Sequence, residues 1–577
     1  MLITFESRNN TYAMKLGRFT LSQSAFMIAA ATLIGLGGGF GAIAFRWMIA
    51  AAGALAFGEI GPFLHAHIGP VGIVVQLAIG GTIAAFVAAR FAPEARGHGV
   101  PEVMEAVALR GGVMRPRIIA IKSIASAASI GFGGSCGREG PIVQIGSTLG
   151  SVLGQIVRAP APIVRTLVAC GAAAGISATF NAPIGGVFFA SEVILGEFAP
   201  RSFAAIVVAS VVSAVIGRAF LGNHPSFSAA AFALVSPWEL VFYAILGLIA
   251  AMWATGFVNV LYFVEDVFDR VQLPQWSKGA IGFAGVGAIG IWFPQIFGVG
   301  YDSIQQVFYE HVPALHAFTL AALKPIATSL TLGSGGSGGV FAPSLFTGAF
   351  LGDGFGRIIH QAFPSWTGPA AAYGLVGMAA VFSAAAEAPI TAIMIVFEMS
   401  SDYTIILPLM VAVVIATLLG RRLLGSTVYE RKLIRRGINW QRVRNPRFFA
   451  KVPVSSVVRA APVVGQVDEP IRALLDRDAD PGELAMPVCD GERFVGIVTT
   501  TGIAQAIASG QGDMPVRSIL QRDVESLVAS DTLERAATLM ADMETPLLPI
   551  LGDEGAKLIG IVTRRDLLLA YRSFVDV

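Results

Sequence analysis

Apolar residues fill most of this chain in blocks of two lengths. Blocks near 21–56, 70–92, 118–135, 203–221, 238–263, 279–297 and 404–420 are long enough to cross or nearly cross a bilayer as helices. Others are short and broken by Gly or Pro: 141–157, 164–179, 183–195, 315–331, 343–351, 371–384 and 388–398. Half-length helices leave backbone ends at membrane depth, which is tolerable only where those ends line a polar cavity. The first twenty residues are polar and basic, and the run from Leu21 is too long for the core of a cleavable leader, so it is expected to span.

The pattern changes after Gly420. Arg421, Arg422, Arg431, Lys432, Arg435, Arg436, Arg442, Arg444 and Arg447 crowd one stretch, which the positive-inside rule assigns to the cytoplasm together with the tail that follows. The tail carries ordinary charge and alternating strand-like patches. Three regions are expected: a cytoplasmic segment 1–20, a membrane domain 21–445, and a soluble tail 446–577. Composition agrees. The 577 residues are 54% hydrophobic and 14% charged, against about 25% charged in soluble proteins. A net charge of +2 gives no reason to expect a nucleic-acid partner. Cys136, Cys170 and Cys489 fit neither a disulfide framework nor a zinc spacing.

Two internal repeats emerge. A shift of 206 residues lays Gly171 on Gly377, Ser177 on Ser383, Pro183 on Pro389, Ile184 on Ile390 and Glu192 on Glu398. Nearly in step, Gly131–Pro141 answers Gly333–Pro343. Duplicated halves broken at matching places point to a transport site at the breaks. In the tail, Pro453-Val-Ser-Ser-Val-Val resembles Pro515-Val-Arg-Ser-Ile-Leu, and Phe494-Val-Gly-Ile-Val-Thr resembles Leu558-Ile-Gly-Ile-Val-Thr. Two α/β units are expected there, at about 446–510 and 511–577.

Gly131–Pro141, Gly333–Pro343 and Gly97-His-Gly-Val-Pro101 each read as a glycine turn leading into a helix. A helix N-terminus presents unpaired N–H groups to an anion; close helix packing is the other use of such glycines. Between Val107 and Trp238 the only acids are Glu139, Glu192 and Glu197. A carboxylate inside an anion-binding turn must compete with the anion or take up a proton, so Glu139 is the prime functional candidate. Arg138 and Lys122 add positive potential, although Lys122 reads equally well as a helix-end lysine.

These residues resemble the CLC chloride channel and transporter family. Gly137-Arg-Glu-Gly-Pro141 is similar to its G-[KR]-E-G-P signature, Gly97–Pro101 to its G-S-G-I-P, and Gly339-Val-Phe-Ala-Pro343 to its G-x-F-x-P. Phe180-Asn-Ala-Pro183, Glu387-Ala-Pro389 and Val428-Tyr-Glu430 match further elements, and the tail resembles a pair of CBS modules. The resemblance implies an all-α inverted-repeat membrane fold with a C-terminal α/β tandem, acting as a homodimer in the plasma (inner) membrane. It implies Glu139 as gate and proton carrier, with chloride or a similar anion held by His98, Gly99, Arg138, Gly140, Gly339, Val340, Phe341, Ala342 and Tyr429. Lys122, Glu192 and Val193 fall along the pathway. An adenine nucleotide is implied at Thr563 and Asp566; no other cofactor is called for, and no enzymatic activity.

Two departures shape the expectation. His98 replaces the family's pore serine, bringing a group that titrates near neutrality. Val193 stands where exchangers carry an inner proton-relaying acid, so passive conduction is expected, with chloride/proton antiport as the alternative. A membrane enzyme, a cation transporter and a nucleotide-sensing scaffold fit less well. The sequence has no triad spacing or Walker loop, no acidic rings at the breaks, and more broken helices than an anchor needs.

Overall fold

The computed structural model describes residues 3–8, 11–16, 19–223, 227, 234–309, 312–438, 452–460, 463–475, 477, 485–522, 524–543, 545–552 and 557–575. The chain divides into two compact units, Met1–Lys432 and Leu433–Val577. The expected boundary near 445, with Arg442, Arg444 and Arg447, lies outside the described residues.

The first unit opens with an antiparallel meander, β1 (Ile3–Arg8), β2 (Thr11–Leu16) and β3 (Phe19–Leu21). Helices follow. α1 (Gln23–Gly53) passes through a π-helical segment into α2 (Gly61–Ile68), then α3 (Val71–Phe91), α4 (Val100–Leu109) and α5 (Ile118–Gly131). Next come α6 (Glu139–Ile156), α7 (Ala161–Phe180), α8 (Pro183–Phe189) and α9 (Pro200–Leu221). The second series is α10 (Glu239–Arg270), α11 (Gln275–Gly290), α12 (Tyr301–Tyr309), α13 (Ala314–Gly333) and α14 (Phe341–Ala362). It ends with α15 (Ala370–Ala386), α16 (Pro389–Ser400), α17 (Ile406–Leu424) and the short α18 (Glu430–Arg435). Seven of the described helical stretches are long and apolar enough to cross a membrane, and this is a multi-pass membrane protein.

Helix lengths depart from the apolar blocks in instructive ways. The block at 118–135 gives only the 14-residue α5, because Gly133 turns left-handed at φ 100° and ends it. The block at 164–179 belongs to the 20-residue α7, whose exposed Arg165 interrupts the apolar run without interrupting the helix.

The repeat is inverted, and side chains prove it. Glu192, just beyond α8, accepts from the amide of Thr391 at 2.8 Å and its hydroxyl at 2.6 Å, at the start of α16. Glu398, near the end of α16, accepts from the amides of Ile184 and Gly185 at 3.0 and 2.7 Å, at the start of α8. Equivalent helices therefore lie antiparallel, each N-terminus capped by the other half's carboxylate. Glycines repeat the same close approach in both halves. A Cβ on Gly171 would fall 1.9 Å from the Gly146 carbonyl oxygen, and one on Gly377 2.2 Å from that of Gly348.

The second unit holds two three-stranded sheets. β4 (Gly465–Gln466), β5 (Ala485–Asp490) and β6 (Arg493–Thr499) form one, followed by α19 (Thr500–Ala508). β7 (Leu527–Val528), β8 (Leu547–Leu551) and β9 (Leu558–Thr563) form the other, with α20 (Leu533–Asp542) and α21 (Arg564–Val575). Their leading segments are exchanged. Val454 packs into the core of the second sheet, and Val516 into that of the first. Arg459 pairs with Ile561, and Gln521 with Ile497. A linear division at 510/511 therefore separates each leading segment from the sheet it completes.

Candidate functional site

Backbone hydrogen bonds sew the three glycine turns together. Gly137 and Gly339 exchange N–H···O bonds of 2.7 Å in both directions, as an antiparallel bridge between equivalent segments. Gly97 donates to the Gly336 carbonyl at 3.1 Å, and Gly338 donates back to Gly97 at 3.2 Å. Only glycine allows this contact: a Cβ on Gly140 would lie 2.0 Å from the His98 carbonyl oxygen, and Gly99 adopts φ 84°. The N-termini of α4, α6 and α14 thus meet at one point. The Gly339 amide, expected to face the anion, is instead spent on Gly137. In α14 the first-turn amides of Phe341 and Ala342 are left without intrahelical partners, and Pro343 has none to offer.

Glu139 is the first residue of α6 and is buried. Its carboxylate folds back over Gly137, where a Cβ would sit 2.2 Å from Oε2. The amides of Ala342 and of Glu139 itself face it. The carboxylate therefore occupies the point where these helix N-termini meet. Arg138 Nε lies 4.0 Å from Oε1.

Beneath it is a pocket too tight for a water molecule, lined by His98, Val100, Glu139, Gly140, Val143, Phe189, Val340, Phe341 and Tyr429. His98 and Tyr429 thus come together, 331 positions apart in the chain. Tyr429 is placed by a reciprocal cap: Thr427 accepts from the Glu430 amide at 3.0 Å and Glu430 accepts from the Thr427 amide at 3.1 Å. Tyr262 adds a 2.5 Å bond to the Val428 carbonyl. Gly99 stays behind the wall, against the Gly140 carbonyl.

On the other side of Glu139 opens a cavity of about 650 Å³, whose lining includes Arg46, Arg138, Phe180, Asn181, Tyr301 and Asp302. Arg138 belongs to this cavity rather than to the closed pocket. Tyr301 Oη donates to Glu139 Oε1 at 2.5 Å. Tyr301 follows a fourth turn, Gly298-Val-Gly300, with φ 57° and 87° at its glycines against 71° and 84° at Gly97 and Gly99. A shift of 201 residues lays Gly97 and Gly99 on Gly298 and Gly300, so this turn is the second half's counterpart of Gly97–Gly99.

Lys122 does not line either cavity. It is fully buried, and Nζ donates to the carbonyls of Ala95 and Gly97 at 3.0 and 2.9 Å. Lys324, overlooked in the sequence, does the same to Ile296 and Gly298 at 2.8 and 2.9 Å. Each lysine satisfies its burial by clamping the turn of its own half. Glu192 is committed to capping α16, and Val193 is buried beside it. In the tail, Asp566 Oδ2 accepts from the Thr563 amide and hydroxyl at 2.8 and 2.6 Å and from Arg459 Nε at 3.2 Å. The corresponding Thr499 caps Gly502 without an acid.

The family model for voltage gated chloride channels matches residues 80–421. The chain belongs to the CLC family. A CBS domain model matches residues 516–573. A putative ClcB-like chloride channel protein of Ralstonia nicotianae is 34% identical over 424 residues, covering 71% of this chain and 97% of the relative. The H(+)/Cl(−) exchange transporter ClcA of Cronobacter sakazakii is 33% identical over 364 residues, covering 61% of this chain and 76% of the relative. Among solved structures, a slow cyanobacterial Cl−/H+ antiporter superposes with TM-score 0.66 at 25% identity, over 71% of this chain and 97% of its own. A eukaryotic CLC transporter shares the fold, with TM-score 0.67 at 19% identity over 94% of this chain and 97% of its own. As a CLC protein, the chain transports anions.

Proposed function

We propose that the protein exchanges chloride, or a similar small anion, for protons, with Glu139 as both gate and proton carrier. The observation that carries this is the Glu139 carboxylate lying against the Ala342 amide at the start of α14. An arriving anion must displace it, and a proton must neutralise it once displaced. The relatives named as H(+)/Cl(−) exchange transporters support the same reading over the passive conduction that Val193 suggests. In this scheme Phe341, Ala342, Val340, Gly140, His98 and Tyr429 surround the anion. Arg138, with Arg46, draws anions into the open cavity.

The passive reading rests on one specific observation: Val193 cannot carry a proton, and Glu192 is engaged at a helix end. Exchange then requires protons to reach Glu139 from the inner side through water. Reconstitution decides between the two. With exchange, the reversal potential in liposomes moves with the pH gradient at fixed chloride; with passive conduction it stays at the chloride Nernst potential.

The arginine-rich stretch after α17 supports a cytoplasmic tail and an inner or plasma membrane location. The family resemblance supports a homodimer. Thr563 and Asp566 support one adenine-nucleotide site in the tail, by which the cell's nucleotide state would tune transport.

A further inference from the structure

The open cavity and the closed pocket share no wall residue in the pairing that separates them. Tyr301 lines the first, Glu139 lines the second, and one hydrogen bond joins them across the partition. At 2.5 Å, with a phenol donating to a carboxylate, this is a short charge-assisted bond. We propose that Tyr301 is a positioning residue that latches the ionised Glu139 side chain in its closed seat, so that its hydroxyl sets the pH at which the gate opens. The proposal rests on the reading of Glu139 as the gate.

Tyr301 is built to hold still. It begins α12, directly after the Gly298–Gly300 turn that Lys324 clamps through the carbonyls of Ile296 and Gly298. Its ring packs edge-on against Phe227 at 5.6 Å and beside Phe180 at 6.2 Å, and the Arg138 guanidinium covers it at 5.1 Å. Three contacts thus hold the ring, and its hydroxyl reaches Glu139. The bond also discriminates between charge states. An ionised carboxylate gains the full charge-assisted bond, whereas a protonated one does not. The latch therefore favours the closed, ionised form.

The other charged or titratable groups around this carboxylate are Arg138 on its own helix end, Lys324 from α13, Tyr429, Cys136 and, across the closed pocket, His98. None of them is altered by removing the Tyr301 hydroxyl, which leaves the ring and its packing in place.

The test is anion flux against pH for the full chain in liposomes, normalised to reconstituted protein. Tyr301→Phe removes a bond to the charged form, so protonation becomes easier. The midpoint of acid activation is expected to move up by roughly one pH unit, a ten-fold change in the ionisation equilibrium. Replacing Tyr301 with a monofluorotyrosine keeps the fold and strengthens the donor, and should move the midpoint down. In a Glu139→Gln background the Tyr301→Phe change should do nothing further. If Glu139→Gln is pH-independent while both Tyr301 substitutions leave the wild-type profile in place, the latch is wrong and the gate stands. If Glu139→Gln keeps the wild-type profile, the gate reading itself is wrong. Equal shifts from Tyr301→Phe with and without Glu139 would also overturn the latch, since the residue would then act on packing alone.

Discussion

Lys324 is the image of Lys122: each is a buried lysine whose Nζ holds two carbonyls of a glycine turn, one on either side of the site. Neither touches the closed pocket. Removing Lys324 takes the donor from the Ile296 and Gly298 carbonyls, each costing about 1–3 kcal/mol, whereas the Ala95 and Gly97 carbonyls held by Lys122 also accept from Ser337 Oγ and the Gly338 amide. Lys122→Met and Lys324→Met should therefore both lower thermal stability in detergent, Lys324→Met by more. An undiminished melting temperature in either variant would show that the clamp is not structural.

Glu139→Gln should retain anion flux and lose its acid activation and any proton movement. The amide cannot exchange protons and carries no charge for the Ala342 amide to hold. Paired chloride and pH recordings in liposomes check both halves of this expectation.

His98 shares the closed pocket with Tyr429 and Glu139. Its imidazolium, once formed, would add a positive charge to that pocket. In a Glu139→Gln background, remaining pH dependence of anion affinity should come from His98 and disappear in His98→Ser. Identical affinity profiles with histidine and serine would place the imidazole in packing rather than in the pathway.

Much of this site was readable in the chain. The glycines of Gly137–Pro141, Gly97–Pro101 and Gly339–Pro343 are dictated by backbone meeting backbone, so no other residue type serves and the motif stays visible. The Pro-Ile…Glu repeat was visible for the same reason: each Glu must reach a helix start in the other half. Tyr301 and Lys324 were not, because their roles depend on which carbonyl or carboxylate lies beside them, and nothing local marks a tyrosine after a glycine as a latch. The spent amide of Gly339 was hidden too, since an N–H shows its partner only in three dimensions. In the tail, the exchange of Val454 and Val516 between sheets defeats any reading that assumes neighbouring segments fold together.

Glu192 and Glu398 are expected to matter for stability rather than for coupling. Replacing either with glutamine weakens the cap on the opposite helix, at a cost of about 1–2 kcal/mol. Both variants should unfold at lower temperature and keep the wild-type ratio of anion to proton movement. A changed ratio in Glu192→Gln alone would return that residue to the proton pathway.

Asp566 accepts three hydrogen bonds at the start of α21. Asp566→Ala is expected to abolish adenine-nucleotide binding to the full chain, measured by calorimetry in detergent, while leaving Glu139-dependent gating in place. Undiminished binding would put the site elsewhere in the tail.

The reciprocal glutamate caps also constrain biosynthesis. When α8 emerges from the ribosome, the carboxylate that completes its first turn is still some two hundred residues from being made. The early half must wait in the membrane with an open helix end, which no lipid tail can satisfy. Assembly is therefore completed only when the late half arrives and α16 docks alongside, so a chain truncated before Glu398 should be held by quality control rather than released as a half-sized pore.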